Sequence, residues 1–405
     1  MLLTDLDHRN RLLDSALAQF AFFRSSLRPA GGFHLLEHDG SPQPTSQQEL
    51  HATARMVHSY ALGQLVGAEG AADMVDHGMS FLWNKHRDAK HGGYCRGVTD
   101  DDVPDDRKLA YGHSFVLLAA ASAKLVHHPD ADRLLQDVWE VMDTRFWEDG
   151  YGLFSDEFNR DWTSFSTYRG MGSNMHTAEA LMAVYEVTGD TLFLDRAGRI
   201  LDFFVQKIAP DYGWRLPEHF KDTWQPDPAY AGDPMFRPAG TIPGHSFELA
   251  RLQIQHWDLK GRPNGVEYSY ARNLVDRALE QAWHTESGGF IYTVGFDGTW
   301  DNTARFWWPV TEAIGALSVF LKLAPSKEDA VWYEKLWAFS EAHLIDKKYG
   351  GWFPELDATN QPAAAQFSGK PDLYHAIQAE LYPLVPRVSG IADGLVDLKG
   401  QKSDI

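Results

Sequence analysis

Two segments of the chain carry a histidine followed three residues later by a glutamate. His176 and Glu179 stand in "SNMHTAEALMAVYEV", and His245 and Glu248 stand in "PGHSFELARLQI". Residues three apart share one face of a helix, so a single pair of this kind is more often a local structural contact than a catalytic one. Two such pairs in comparable segments favour a shared site, because imidazoles titrate near neutral pH and transfer protons.

Three chemistries fit such a constellation. A di-metal site would use Glu-x-x-His pairs, but here the order is reversed and no His-Glu-x-x-His segment occurs. Glycoside hydrolysis would use two carboxylates, for which Glu248 and Glu312 are candidates, but it gives the histidines no role. A proton shift between adjacent sugar carbons needs a histidine base, a second acid–base group and a cation for the enediolate, without metal or other cofactor. We favour this third chemistry, and the residues that would perform it are His245, His375, His176, Arg55 and Glu248.

These candidates lie in apolar, helix-like segments, most of them near the start of the segment. Helix N-termini present free N–H groups and the positive end of the helix dipole. If the segments are the inner helices of a barrel, their ends meet at one mouth and form a cavity there. The further residues that we expect to line it are Tyr111, Asn174, Trp308, Glu312 and Asp372. We interpret His51, His58 and His113 as structural or peripheral, and Glu218 and Glu355 as loop-capping groups.

A glycine next to an aromatic or large apolar residue recurs between the helix-like segments, as in "YGGWFPELD". The recurring glycines are Gly32, Gly93, Gly152, Gly213, Gly289 and Gly351, which are 59 to 62 residues apart except for one spacing of 76. A fixed period indicates a repeated supersecondary unit, and about sixty residues hold two helices of ~12–18 residues with their connections. Six helical hairpins predict an all-α fold, an (α/α)6 barrel, formed by residues 1–405 as one domain. An open solenoid is the alternative, but no polar capping repeat stands at either end.

Composition restricts the function classes. The net charge of -19 disfavours nucleic acid and anionic membrane as partners. The sequence has no run of 18 apolar residues and therefore predicts no membrane span. Its N-terminal residues lack the layout of a signal peptide. The single Cys95 fits a reducing compartment. We therefore expect a cytoplasmic monomer or homodimer, with the proline-rich run from Pro226 to Pro243 as an insertion loop near the site.

The motifs "TARMVHSY", "YRGMGSNMHTAEA", "GTIPGHSFELARL", "WWPVTEA" and "GKPDLYHAIQ" resemble the N-acylglucosamine 2-epimerase superfamily, in the family's order, from about Leu50 to Leu384. The resemblance implies an (α/α)6 barrel, in agreement with the repeat count. The length and the "ARMVH" and "DLYH" forms are most similar to the aldose–ketose isomerase branch, which includes D-mannose and sulfoquinovose isomerases.

The resemblance also implies roles. His375 would take the C2 proton of the opened aldose and return it at C1 through a cis-enediol. His245 would assist ring opening and shuttle the hydroxyl proton. Glu248 would orient His245, Arg55 would hold O1 and O2, and His176 would contact the sugar. The residues that would shape the pocket are Tyr111, Asn174, Trp308 and Asp372.

Two departures bear on the substrate. Gly172 replaces an asparagine that is frequent in the family, and Pro371 replaces a glutamine that is typical of sulfoquinovose isomerases. We therefore expect D-mannose and D-fructose as the sugars, with D-lyxose and D-xylulose as a side reaction. The alternatives are a sugar 2-epimerase of the N-acylglucosamine or cellobiose type, a sulfoquinovose isomerase, and a sugar-binding protein without catalysis. We also expect the aromatic–glycine joints, Trp352 among them, to cap the mouth of the barrel.

Overall fold

A computed structural model describes residues 2–44 and 47–402 of the chain. The helices are α1 (Leu6–Phe23), α2 (Leu50–Leu65), α3 (Ala71–Phe81), α4 (Ala110–Leu125), α5 (Ala131–Val141), α6 (Met171–Thr188), α7 (Thr191–Leu201), α8 (Pro243–Leu259), α9 (Glu267–Ala282), α10 (Trp307–Leu323), α11 (Lys327–Phe339), α12 (Tyr374–Leu381) and α13 (Ile391–Lys402). The first twelve form the six predicted hairpins. The thirteenth helix follows the last hairpin and lies outside the repeat.

The even-numbered helices from α2 to α12 form a closed inner ring. Each contacts the next one along the chain, and α12 contacts α2. The odd-numbered helices from α1 to α11 pack outside this ring. Fifteen of the seventeen residues of α10 are buried, which is typical of a helix surrounded by others. The closed barrel is confirmed, and the open solenoid was wrong.

The joints between hairpins are short antiparallel strands around glycine turns. The strands are β1 (Gln48–Glu49), β2 (Gly97–Val98), β3 (Lys108–Leu109), β4 (Trp147–Glu148), β5 (Leu153–Phe154), β6 (Glu157–Phe158), β7 (Arg169–Gly170), β8 (His219–Phe220), β9 (Arg305–Phe306) and β10 (Glu355–Leu356). Gly350 and Gly351 have φ of +95° and +72°, a region that side chains disfavour. Glycine is therefore required where each turn reverses the chain toward an inner helix.

Strand pairing links neighbouring repeats at one mouth of the barrel. β1 pairs with β2, β3 with β6, β7 with β8 and β9 with β10. The strand that precedes an inner helix thus pairs with a strand of the next joint. At α2, α4, α6 and α10, the carbonyl of the residue just before that partner strand accepts the first N–H of the helix, as Glu218 does for Met171. No side chain caps α2, α4, α6, α8 or α10. The N-terminal ends of the inner helices are therefore held by backbone and face one mouth.

The aromatic residues of the turns do not all reach this mouth. Trp352 is buried against the Trp337 ring, and its indole N–H donates to Glu380 Oε1 at 3.3 Å. The expectation that Trp352 caps the mouth was wrong, because the segments that follow the turns reach the mouth instead. Among the described residues, no helix has the length and apolar character that a membrane crossing requires.

Candidate active site

A cavity of about 560 Å³ lies at the mouth where the inner helices begin. Of the predicted site residues, those that line it are Arg55, Tyr111, His176, His245, Glu248, Trp308, Asp372 and His375. The proline-rich insertion contributes Asp233, Met235, Phe236 and Arg237 to the rim, which confirms its predicted position near the site. The cavity therefore brings together residues that lie more than three hundred positions apart in the chain.

His375 lies in the first turn of α12, and its imidazole is fixed by a carboxylate from the neighbouring helix. Its Nδ1 lies 2.8 Å from Glu312 Oε1, and the other oxygen of Glu312 accepts from Arg251 at 3.1 Å. Burial lowers the pKa of His375, so the ring is neutral near neutral pH. Burial acts to raise the pKa of Glu312, but Arg251 and His375 outweigh it and the net shift is downward. The ionised carboxylate accepts Nδ1–H and leaves Nε2 as the basic atom.

His245 is fixed in the same way, but by a residue that sequence reasoning did not assign to it. Its Nδ1 lies 2.9 Å from Glu218 Oε2, and Glu218 Oε1 accepts the backbone N–H of Ile242 at 3.3 Å. Glu248 makes no hydrogen bond to His245, so the expectation that it orients this histidine was wrong. An acidic residue recurs four or five positions after the joint glycine at Glu157, Glu218 and Glu355, and this pattern was the available signal.

Trp308 lies between the two fixed histidines. Its ring centroid is 5.1 Å from that of His245 and 5.8 Å from that of His375, with an interplanar angle of 34° in both cases. No residue of the described ranges hydrogen-bonds to Nε2 of either histidine. The two imidazoles thus present their free nitrogens to one cavity across an indole, the kind of surface on which a sugar packs.

Arg55 on α2 is held rigidly at the cavity wall. Its guanidinium lies between the rings of Phe115 and Tyr374, 4.5 and 4.7 Å from their centroids. One nitrogen is 3.3 Å from Asp372 Oδ2, and another donates to Tyr111 Oη at 3.0 Å. Burial acts to lower the pKa of Arg55, but Tyr111 and Asp372 raise it above its ordinary value. A fixed positive charge at this wall can stabilise an oxyanion.

A compact cluster of charges lies at and below the cavity floor. His176 Nδ1 is 3.6 Å from Glu179 Oε2 and 3.5 Å from Glu248 Oε1. Within the described ranges, these three residues are the group whose ligand atoms are close enough together to hold a metal ion. Arg251 lies 3.9 Å from an oxygen of each glutamate, so the protein itself supplies positive charge to them. The expectation that no metal binds stays a prediction.

Two predicted pocket residues lie behind the cavity wall. Asn174 is fully buried; its amide accepts from Phe154 N–H and donates to the carbonyls of Phe154 and Gly170. It therefore fixes a joint to α6 rather than contacting the cavity. Glu312 also does not line the cavity and acts on it through His375. The open pair of catalytic carboxylates that glycoside hydrolysis would need, Glu248 and Glu312, is absent at this position.

The remaining histidines and the loop glutamate are divided between the cavity and the scaffold. His51 lines the cavity, so its interpretation as peripheral was wrong. His113 bonds to the backbone of Leu109 and Tyr94, and its structural interpretation is confirmed. Glu355 accepts two backbone N–H groups of the loop at Gln366 and Phe367, as a capping group does.

Comparisons with known proteins agree with this fold. The profile of the N-acylglucosamine 2-epimerase (GlcNAc 2-epimerase) family matches residues 31–379. A D-mannose isomerase of Thermobifida fusca is 36% identical over 394 residues, which cover 96% of this chain and 97% of that protein. A crystal structure of a D-mannose isomerase superposes with a TM-score of 0.86 at 28% identity, covering 94% and 98% of the two chains. The structure of a cellobiose 2-epimerase from Spirochaeta thermophila DSM 6192 has a TM-score of 0.83 at 21% identity, covering 94% and 97%, and shows the shared fold.

Proposed function

Because the chain belongs to the N-acylglucosamine 2-epimerase family, we propose that it is an aldose–ketose isomerase that interconverts D-mannose and D-fructose. The observation that carries the proposal is the pair of imidazoles held at Nδ1 by Glu218 and Glu312, with both Nε2 atoms free at one cavity. Two imidazoles with free Nε2 atoms at a single cavity can move two protons of one sugar. The identity to D-mannose isomerases over nearly the whole chain supports the sugar.

We assign one step to each of these two histidines. His245 takes the proton of the C1 hydroxyl as the ring opens. His375 then takes the C2 proton of the open aldose and returns it to C1, while His245 passes the hydroxyl proton from O2 to O1, so that a cis-enediol separates aldose from ketose. Arg55 holds O1 and O2 while negative charge develops on them, a contribution of about 3–4 kcal/mol for an oxyanion donor in a buried site. Tyr111 and Asp372 fix the position of Arg55.

The same chemistry admits a few other substrates and one other outcome. D-lyxose differs from D-mannose only beyond the reacting carbons, so its conversion to D-xylulose is a side reaction. Return of the proton to C2 from the opposite face would make the protein a 2-epimerase, the activity for which the family is named. Pro371 at the cavity wall has no polar side chain for a sulfonate, which disfavours sulfoquinovose.

Two further properties belong to the proposal. We place the protein in the cytoplasm, on the grounds of its acidic charge and single cysteine, and we expect a monomer or a homodimer. Cell fractionation and light scattering check these two points independently of the reaction.

Incubation with single sugars in the presence of EDTA tests the proposal. Proton NMR of D-mannose should show fructose, and His375→Asn should slow its formation by about 10²–10⁴-fold, with His343→Asn as a control that lies outside the cavity. Formation of glucose without fructose would mean that the protein is a 2-epimerase and not an isomerase. No change with D-mannose, D-lyxose, N-acetylmannosamine or cellobiose would contradict an enzymatic function on these sugars.

A further inference from the structure

The charge cluster at and below the cavity floor has more acidic groups than cations to balance them. Arg251 lies 3.1 Å from Glu312 and 3.9 Å from both Glu179 and Glu248. The nearby Arg55 is already paired with Asp372 at 3.3 Å. One guanidinium therefore faces three carboxyl groups, all nearly inaccessible to solvent. Because unpaired buried charges are expensive, at least one of the three carboxyls must bind a proton.

The hydrogen bonds distinguish the three carboxyl groups from one another. Glu312 accepts from His375 and Arg251, and Glu179 accepts the hydroxyl of Tyr374. Neither oxygen of Glu248 has a hydrogen-bond partner in the described part of the chain. Burial raises the pKa of Glu248 well above its ordinary value, and the charges of Glu312 and Glu179 act in the same direction. Glu248 is therefore the group with the least to lose on becoming a neutral acid.

The groups that face Glu248 come from every inner helix around it. They are Arg251 on α8 itself, Arg55 on α2, Tyr111 on α4, His176 and Glu179 on α6, Glu312 on α10, Tyr374 on α12 and Tyr382 just beyond α12. Among them, His176 has an unpartnered buried nitrogen, Nδ1, 3.5 Å from Glu248 Oε1. Burial lowers the pKa of His176 to about 4, so its ring is neutral at neutral pH and one of its nitrogens is an acceptor.

We propose that Glu248 is a neutral carboxylic acid whose O–H donates to His176 Nδ1, which leaves His176 with its proton on Nε2. His176 is then the opposite tautomer of His245 and His375, whose Nδ1–H groups donate to Glu218 and Glu312. The cavity thus contains two imidazoles that accept at Nε2 and one that donates there. Glu248 is a positioning residue in this account, because it acts on the sugar through His176.

The inference rests on the proposed isomerase function for its chemical consequence. When the pyranose opens, His245 Nε2 takes the O1 proton, the C1–O5 bond breaks and C1–O1 becomes a carbonyl. His176 Nε2–H passes its proton to O5, and the Glu248 proton moves to His176 Nδ1. The sugar has then lost one proton and gained one. The protein carries a protonated His245 and an ionised Glu248 until ring closure reverses the transfer.

The free protein tests the tautomer without any sugar. With 15N-labelled histidine, the resonances lost in His176→Gln should show a protonated Nε2 and an unprotonated Nδ1. Infrared difference spectra of wild type and Glu248→Gln should show the carbonyl band of an un-ionised acid, which Glu312→Gln should retain. A protonated Nδ1 on His176, or no lost acid band, would overturn the inference whatever the protein does to mannose.

Ring opening itself gives a kinetic test that is separate from fructose formation. Exchange between the α and β anomers of D-mannose, followed by NMR, requires opening but no transfer from carbon. Glutamine at 248 can donate an N–H to Nδ1 but cannot release a proton. Glu248→Gln should therefore keep the His176 tautomer and the KM and slow enzyme-dependent anomer exchange by roughly 10²-fold or more. Unchanged exchange in this variant would contradict the relay. Absence of both exchange and fructose in wild type would instead contradict the proposed function.

Discussion

The two histidine–glutamate pairs of the cavity differ in where their glutamates come from. Glu312 lies on an inner helix, is nearly inaccessible and is bonded to Arg251. Glu218 lies on a joint segment and is bonded to the backbone of Ile242, and its histidine is 18% exposed. The His375 pair is thus tied to the buried charge cluster, whereas the His245 pair belongs to the mouth. The deep pair suits proton transfer at carbon, which needs a fixed dry base, and the outer pair suits proton transfer at a hydroxyl.

The largest difference between the two pairs is expected when His375 is replaced. His375→Asn should lower kcat/KM for D-mannose by about 10²–10⁴-fold, since a positioned general base contributes that much. Anomer exchange should survive, because it needs only the outer pair and His176. Fructose assays and anomer-exchange NMR on the same sample measure the two effects. Equal loss of both would mean that the division of labour between the pairs is wrong.

Replacing the two glutamates by glutamine compares the pairs at matched chemistry. Glutamine keeps the shape but no longer stabilises a histidine that gains a proton, so Glu312→Gln should reduce kcat by about 10–10³-fold. Glu218→Gln should reduce it less and should slow anomer exchange more. Steady-state kinetics and anomer exchange, with circular dichroism to verify folding, measure the difference. The reverse ranking would assign the carbon base to His245.

The pH dependence of kcat/KM tests whether His375, paired with Glu312, is the base. The ordinary pKa of histidine is 6.5, and burial lowers the pKa of His375. The acid limb of kcat/KM should therefore lie below pH 6.5. Glu312 raises the pKa of His375, so Glu312→Gln should move the acid limb to still lower pH while the plateau falls. Rates from pH 4 to 9 with D-mannose test the sign. An acid limb that moved upward in Glu312→Gln would contradict the assignment.

The smallest effect is expected at the ring between the pairs. Trp308→Phe keeps an aromatic face beside both histidines but removes part of the packing surface. It should raise KM by a few-fold, equivalent to about 0.5–1.5 kcal/mol for an aromatic contact, and leave kcat nearly unchanged. Trp352→Phe, outside the cavity, is the matched control. A large fall in kcat would mean that Trp308 positions the imidazoles and does not merely support the sugar.

The fold was readable from the sequence because its joints need glycine. The turns at Gly351 and its equivalents require positive φ, so the repeat is visible as a spacing of single residues. Closure of the ring depends on contacts between α2 and α12, which lie about three hundred residues apart, and no local pattern encodes them. The thirteenth helix lies outside the repeat, and the period therefore could not predict it.

The sequence predicted which residues reach the cavity better than it predicted which glutamate binds which histidine. His245, His375, His176 and Arg55 reach one cavity as expected, because helix starts share one mouth. The partners of the two bases are 27 and 63 residues away, so the local His-x-x-Glu spacing suggested Glu248 for His245 where Glu218 binds. Asn174 was assigned to the pocket by its motif, although its amide bonds to joint backbone.

Deuterium labelling at C1 and C2 tests directly whether His375 moves a proton between these carbons through an enediol. D-mannose is incubated with the protein in D2O with EDTA until mannose and fructose reach equilibrium, and deuterium at fructose C1 and mannose C2 is then followed by NMR. A proton carried by His375 exchanges with solvent during repeated turnover, so deuterium should accumulate at both carbons, and His375→Asn should prevent it. Fructose that forms without any deuterium at C1 would contradict proton transfer through an enediol and indicate a hydride shift.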